Sequence, residues 1–145
     1  MIKQFEKLTK QEIELLSKAP VFVSVLAASS DREISNNEKA DAIKLAHLKT
    51  FTAYPLLIPY YKEVEKNFKS YFEAIVKIYA PFDDAKREEL KQEIYSVNAL
   101  IGKLDKEFAS ALHTSLSEYA EHVRKADNNA FVNFVFPLPI EGLTY

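Results

Sequence analysis

Ala19-Pro20-Val21-Phe22-Val23-Ser24-Val25-Leu26-Ala27-Ala28-Ser29-Ser30-Asp31-Arg32-Glu33-Ile34-Ser35-Asn36-Asn37-Glu38 is an apolar run that breaks abruptly into a polar, acidic loop. Pro20 is foreign to a helix interior, because it lacks an N–H donor and its ring clashes with the preceding turn, but it suits the first helical position. The sequence therefore predicts a break near Ala19 and a fresh helix from Pro20 to about Ser29. Val21, Phe22, Val23, Val25 and Leu26 surround that helix on every side, and a helix apolar all round belongs in the middle of a domain.

Working outward, Thr9 with Glu12 three residues on forms a capping box for a first helix, with Leu8, Ile13 and Leu16 supplying its apolar face. Ser35 with Glu38 forms a second box, opening a helix to about Ala53 on which Ala40, Ile43, His47, Phe51 and Tyr54 share one face. Pro55-Leu56-Leu57-Ile58-Pro59 is too apolar for a flexible linker and should pack on the core. Pro59 then opens a long helix with Tyr61, Val64, Phe68, Phe72, Ile75 and Tyr79 at three- and four-residue steps, ending at Ala80 before Pro81.

Asp83 or Asp84 caps the next helix, which carries Leu90, Ile94, Val97 and Ile101 and meets a terminus or bend at Gly102. Leu104, Phe108, Leu112, Leu116, Tyr119 and Val123 mark a further helix to about Ala126, and Asp127-Asn128-Asn129 reads as a turn. Residues 130–145 carry too many aromatic and aliphatic side chains for a solvated tail; they predict an apolar strap that wraps its own domain or a second subunit. The expectation is an all-α, compact single domain over residues 1–145, a bundle of about six or seven helices with an irregular C-terminal strap.

Composition agrees and excludes several classes. A chain of 145 residues is the size of one domain and can bury roughly 70% of the surface it exposes unfolded. Only 2 Gly among 48% apolar residues favours helices joined by short loops. A net charge of -2 with Lys and Glu interspersed is unlike the clustered basic footprint of a nucleic-acid binder. The absence of Cys removes disulfides, thiolate metal sites and cysteine nucleophiles, and allows a reducing, cytoplasmic location. Charges interrupt Met1–Lys7 before any apolar core of a signal peptide forms, and no apolar run approaches the roughly 18 residues of a membrane span.

Chemistry concentrates between residues 31 and 38. Asp31, Glu33 and Glu38, with Ser35, Asn36 and Asn37, form an oxygen-rich set of the kind that hard cations such as Ca²⁺ or Mg²⁺ prefer. Asp31, Glu33 and Ser35 alternate as in an EF-hand, but Asn36 stands where that loop needs Gly and Ala42 where it needs a bidentate Glu, so the EF-hand is rejected. The same residues also read as helix-start chemistry, with Ser35 and Glu38 capping and Glu33 near the positive end of the dipole.

Elsewhere the residues favour structure over chemistry. His47 sits on an apolar stripe, where a buried, hydrogen-bonded imidazole is expected, and His113 and His122 are spaced so that they do not pair. Glu118 precedes His122 by four residues instead of the three a di-iron bundle uses, and no nucleophile elbow or phosphate loop occurs. The stripe Tyr60, Tyr61, Phe68, Tyr71, Phe72 and Tyr79 reads as core with its hydroxyls toward the rim, or as the lining of a ligand cavity.

An apolar helix with an Ala-rich end, then Asp31, Ile34 three later and Glu38 seven later, with Ala40 and Ile43 following, resembles the signature of the TerB-like family linked to tellurite resistance and stress response. Arg32 stands where that family has Gly, and in the second half Phe134 stands where the echo beginning at Asp127 would need Glu. The resemblance implies an all-helical domain of two related halves and an acidic loop that holds a divalent metal, here through Asp31, Glu33 and Glu38. The functional expectation is a non-enzymatic accessory or interaction module with a weak cation site. The alternatives are a metal-free module that uses its aromatic strap to bind a protein partner or to form a homodimer, and a small-molecule binder.

Overall fold

The structure, a computed structural model, describes residues 3–29 and 33–125. A 3₁₀ turn at Lys3–Phe5 leads into α1 (Lys10–Ser17) and α2 (Ala19–Ala28), followed by α3 (Asn36–Thr52). A second 3₁₀ turn at Pro55–Leu57 precedes α4 (Ile58–Tyr79), α5 (Asp84–Ile101) and α6 (Lys106–Lys125). The described residues contain no strand, in agreement with the all-α expectation. The predicted turn at residues 127–129 and the strap at 130–145 lie outside the described residues.

Every residue of α2 is buried, and the helix packs against α6, α4 and α5 while α1 lies on α5. Burial on all sides leaves the polar atom of Ser24 only the backbone as partner, and its Oγ donates to the Pro20 carbonyl at 2.6 Å. The proline that starts α2 creates a second problem. In a continuous helix the Leu16 carbonyl would accept from the N–H of residue 20, which Pro20 does not have. Tyr60 of α4 supplies the missing donor, its hydroxyl lying 2.6 Å from the Leu16 oxygen.

Local chemistry fixes the helix starts. Thr9 and Ser35 each accept from the backbone N–H three residues on, while Glu12 and Glu38 reach back to the N-cap N–H, completing both capping boxes. Asp83 accepts from the Lys86 N–H at 2.8 Å and begins α5, and α5 ends at Ile101 with Gly102 as its cap. Ala80, extended before Pro81, ends α4. The apolar stripes read from α5 and α6 are buried throughout, and on α4 only Tyr79 among the predicted positions is not fully covered.

The face of α3 corrects the sequence reading. Ala42, Leu45 and Ala46 are buried together with Glu38, whereas Ala40 and His47 are exposed, Ile43 is half-buried, and Phe51 and Tyr54 are 61% and 56% exposed. The cause is close approach: α3 packs chiefly on α4, and the Tyr119 hydroxyl from α6 donates to the Ala42 carbonyl at 2.6 Å. A methyl side chain permits that approach and a bulkier one would hold α6 away. Ala40 and Phe51 have the apolar character of a core stripe but lie on the outer side.

The tyrosine hydroxyls also differ from expectation. Tyr60, Tyr61 and Tyr119 are fully buried, and none of their hydroxyls reaches a rim. Tyr61 pairs with the Ser115 hydroxyl at 2.5 Å, and its ring stacks on Tyr119 with centroids 6.4 Å apart. Phe5 closes this aromatic layer from the N-terminal turn, edge-on to Tyr60 and Phe108.

Candidate functional site

The acidic loop is anchored at both ends. At the C-terminus of α2, Ser29 Oγ donates to the Leu26 carbonyl at 2.9 Å and accepts from Arg87 Nε of α5 at 3.2 Å. A guanidinium here also faces the negative end of the α2 dipole. At the other end Ser35 and Glu38 exchange the two capping bonds, each 3.0 Å long. Of the three predicted cation ligands, Asp31 lies outside the described residues, Glu33 is exposed, and Glu38 is 1% exposed with Oε1 accepting from the Ser35 N–H. Among the described residues no group of three or more His, Asp or Glu side chains is arranged to hold a metal ion.

The histidines divide differently from the sequence reading. His47, expected in the core, lies on the exposed side of α3, where Nδ1 contacts the Glu65 carboxylate of α4 and Phe51 packs edge-on against the ring. His113 is buried while His122 is at the surface. His122 Nε2 stands 2.8 Å from Asp41 Oδ2, a contact that joins α6 to α3.

Two carboxylates are held below their ordinary range. Glu12 is lowered first by the Thr9 backbone N–H and then by Lys103, and Glu73 by its hydrogen bond to Lys39, which ties α4 to α3. The buried phenols move the other way. Desolvation pushes Tyr60, Tyr61 and Tyr119 upward, so the Tyr61–Ser115 pair is a neutral hydroxyl pair and not a latent base.

One cleft was not read from the sequence. A cleft of about 750 Å³ opens between the C-terminal end of α3, the 3₁₀ turn at Pro55–Leu57 and the first half of α6. α3 ends at Thr52 with Ala53 extended as its cap, Pro55 keeps Tyr54 before it out of the helical region, and the Leu57 N–H returns to the Tyr54 carbonyl at 2.7 Å. Leu57 and Ser115 form the buried floor, the latter fixed by Tyr61. Tyr54 makes one wall, its hydroxyl donating to Glu107 at 3.3 Å, and Ala111 and Thr114 line the α6 side.

Two lysines and two glutamates balance the charge of the lining. Lys49 is the most enclosed of them, its side chain 17% exposed, and Glu118, at 3.9 Å, is itself 65% exposed. The available signal was the small and polar series Ser110, Ala111, Thr114 and Glu118 along one face of α6, beside the Pro55–Pro59 corner. A helix face of that composition has nothing apolar to bury against a neighbour.

Among the described residues no helix is long and apolar enough to cross a membrane. Comparison with known proteins found no matching family model, no matching curated protein and no matching solved structure.

Proposed function

We propose that the chain is a non-enzymatic binding module of TerB-like type whose working face is the cleft between the α3 corner and α6. The observation that carries this reading is the contrast between the two kinds of polar group in the bundle. The tyrosine hydroxyls of the core are consumed in buried structural bonds to Leu16, Ser115 and Ala42, while the cleft sets Thr114, Lys49 with its long contact to Glu118, and Tyr54 with its long bond to Glu107 around a volume of about 750 Å³. That volume lies within the roughly 300–1,000 Å³ typical of small-molecule sites, and it is formed by helices whose positions the core fixes.

In the same reading the 31–38 loop is a weak divalent-cation site formed by Asp31, Glu33 and Glu38. Glu38 shares its carboxylate with the α3 cap, which accounts for weak binding.

The test is a screen of a chemically mixed fragment library against the full chain by amide-resolved NMR. Hits that move Tyr54, Ala111, Thr114 and Ser115 together are the expected result. Hits scattered over the surface, or absent from these positions, would remove the cleft from the account.

A further inference from the structure

We infer that the cleft takes a small amphipathic monocarboxylate, with its head on Lys49 and its apolar body along Tyr54 and Leu57; this rests on the cleft being the working face. Lys49 lies in the last turn of α3, where the exposed carbonyl ends favour a cation, but most of its side chain is out of water. The covered part is the methylene stem, which holds the ammonium in the lining of the cleft instead of leaving it free on the surface. Among the described residues the nearest carboxylate, Glu118, is 3.9 Å away, beyond the roughly 2.7–2.9 Å of a charge-assisted hydrogen bond, and it is solvated and screened. A ligand carboxylate entering the cleft could reach Lys49 at bonding distance, with the Thr114 hydroxyl of the α6 side as a neutral donor to its second oxygen.

The rest of the lining narrows the class. Lys49 and Lys106 are matched by Glu107 and Glu118 in the lining, so the cleft has no surplus positive charge for a second anionic group, which disfavours phosphate esters and dicarboxylates. Leu57 on the floor, the Tyr54 ring and the short side chain of Ala111 leave an apolar slot suited to an aryl or branched acyl body.

The probes are phenylbutyrate and its neutral amide, titrated into the full chain while the backbone amides of Lys49, Tyr54, Ala111 and Thr114 are followed. The acid should bind at least about tenfold more tightly than the amide, and Lys49→Met should remove that difference while Lys49→Arg keeps most of it. Glu118→Gln should tighten the acid about twofold or more and leave the amide unchanged, with the gain shrinking as salt is added. Thermal midpoints of the variants within a few degrees of the parent exclude misfolding as the cause. Equal affinity for acid and amide at the cleft would overturn the carboxylate assignment and leave the cleft reading standing. No shift at these positions from either probe, including the case in which another part of the chain already fills the cleft, would also overturn it, and the mixed-fragment screen then decides the cleft reading separately.

Discussion

The Tyr60 hydroxyl donates to the Leu16 carbonyl at 2.6 Å, in place of the backbone N–H that Pro20 cannot provide. Proline starts the buried helix at the right residue and leaves a carbonyl of the preceding helix without its normal partner, and a side chain 44 positions away in sequence restores it. Tyr60→Phe should therefore destabilise the fold by about 0.5–1.5 kcal/mol, the net worth of one buried hydrogen bond to a carbonyl that also accepts from the α1 cap. In a Pro20→Ala background, where an N–H is again present, the same change should cost measurably less. Denaturant midpoints around this double-mutant cycle measure the coupling; strict additivity would mean that Tyr60 is merely packing.

The buried phenols predict alkaline instability. Tyr60, Tyr61 and Tyr119 have pKa values raised by desolvation, so in the folded state they stay protonated at a pH where the unfolded chain ionises. Above about pH 10 the unfolded state binds fewer protons and stability falls with rising pH; below that pH the three groups make no pH-dependent contribution. The slope should reach up to about 1.4 kcal/mol per pH unit for each such tyrosine. Tyrosinate absorbance should show at least three of the 8 tyrosines ionising only as the chain unfolds. Ionisation of all of them in a folded chain would contradict the buried positions.

Substitutions on α3 distinguish its true inner face from the one its sequence suggests. Ala42→Val should cost about 1–3 kcal/mol, because Ala42 is buried under the Tyr119 hydroxyl, whereas Ala40→Val on the exposed side should stay within about 0.5 kcal/mol. Chemical denaturation of the two variants gives the order directly, and the reverse order would restore the Ala40, Ile43, His47 face.

At the acidic loop, capping and cation binding separate by variant. Glu38→Ala should lose about 0.5–2 kcal/mol with or without Ca²⁺, since the capping box with Ser35 is broken. Glu38→Gln keeps an acceptor for the Ser35 N–H and should lose less. Calorimetric titration with Ca²⁺ or Mg²⁺ should give a weak binding heat that Asp31→Asn with Glu33→Gln abolishes, and a flat trace for the parent chain would leave the loop only its capping role.

Much of the frame was legible in the sequence because it rests on local rules. Both capping boxes, the breaks at Pro20 and Pro81, and the stripes of α4, α5 and α6 depend on residues within a few positions of one another. α3 misled because outward Phe51, and Tyr54 just past its end, are larger and more apolar than inward Ala42 and Ala46, with Ile43 half-buried between the two faces; volume and hydrophobicity favour one face, and close packing selects the other. His47 followed that error to the surface. The tyrosine partners were hidden for another reason, since Leu16 and Ala42 accept through backbone carbonyls, which carry no residue-type signature. The cleft depends on how the Pro55–Leu57 turn and the end of α3 sit against α6, a tertiary property with only the polar face of α6 as its trace.

The organisation of the whole bundle about α2 is tested most directly by native-state amide hydrogen exchange. If α2 is the water-free centre, the amides of Phe22 to Ala28 should be among the slowest in the chain, exchanging only through global unfolding with the full unfolding free energy. Exchange of those amides through a cheaper local opening, ahead of the amides in α4 and α6 that enclose them, would contradict it.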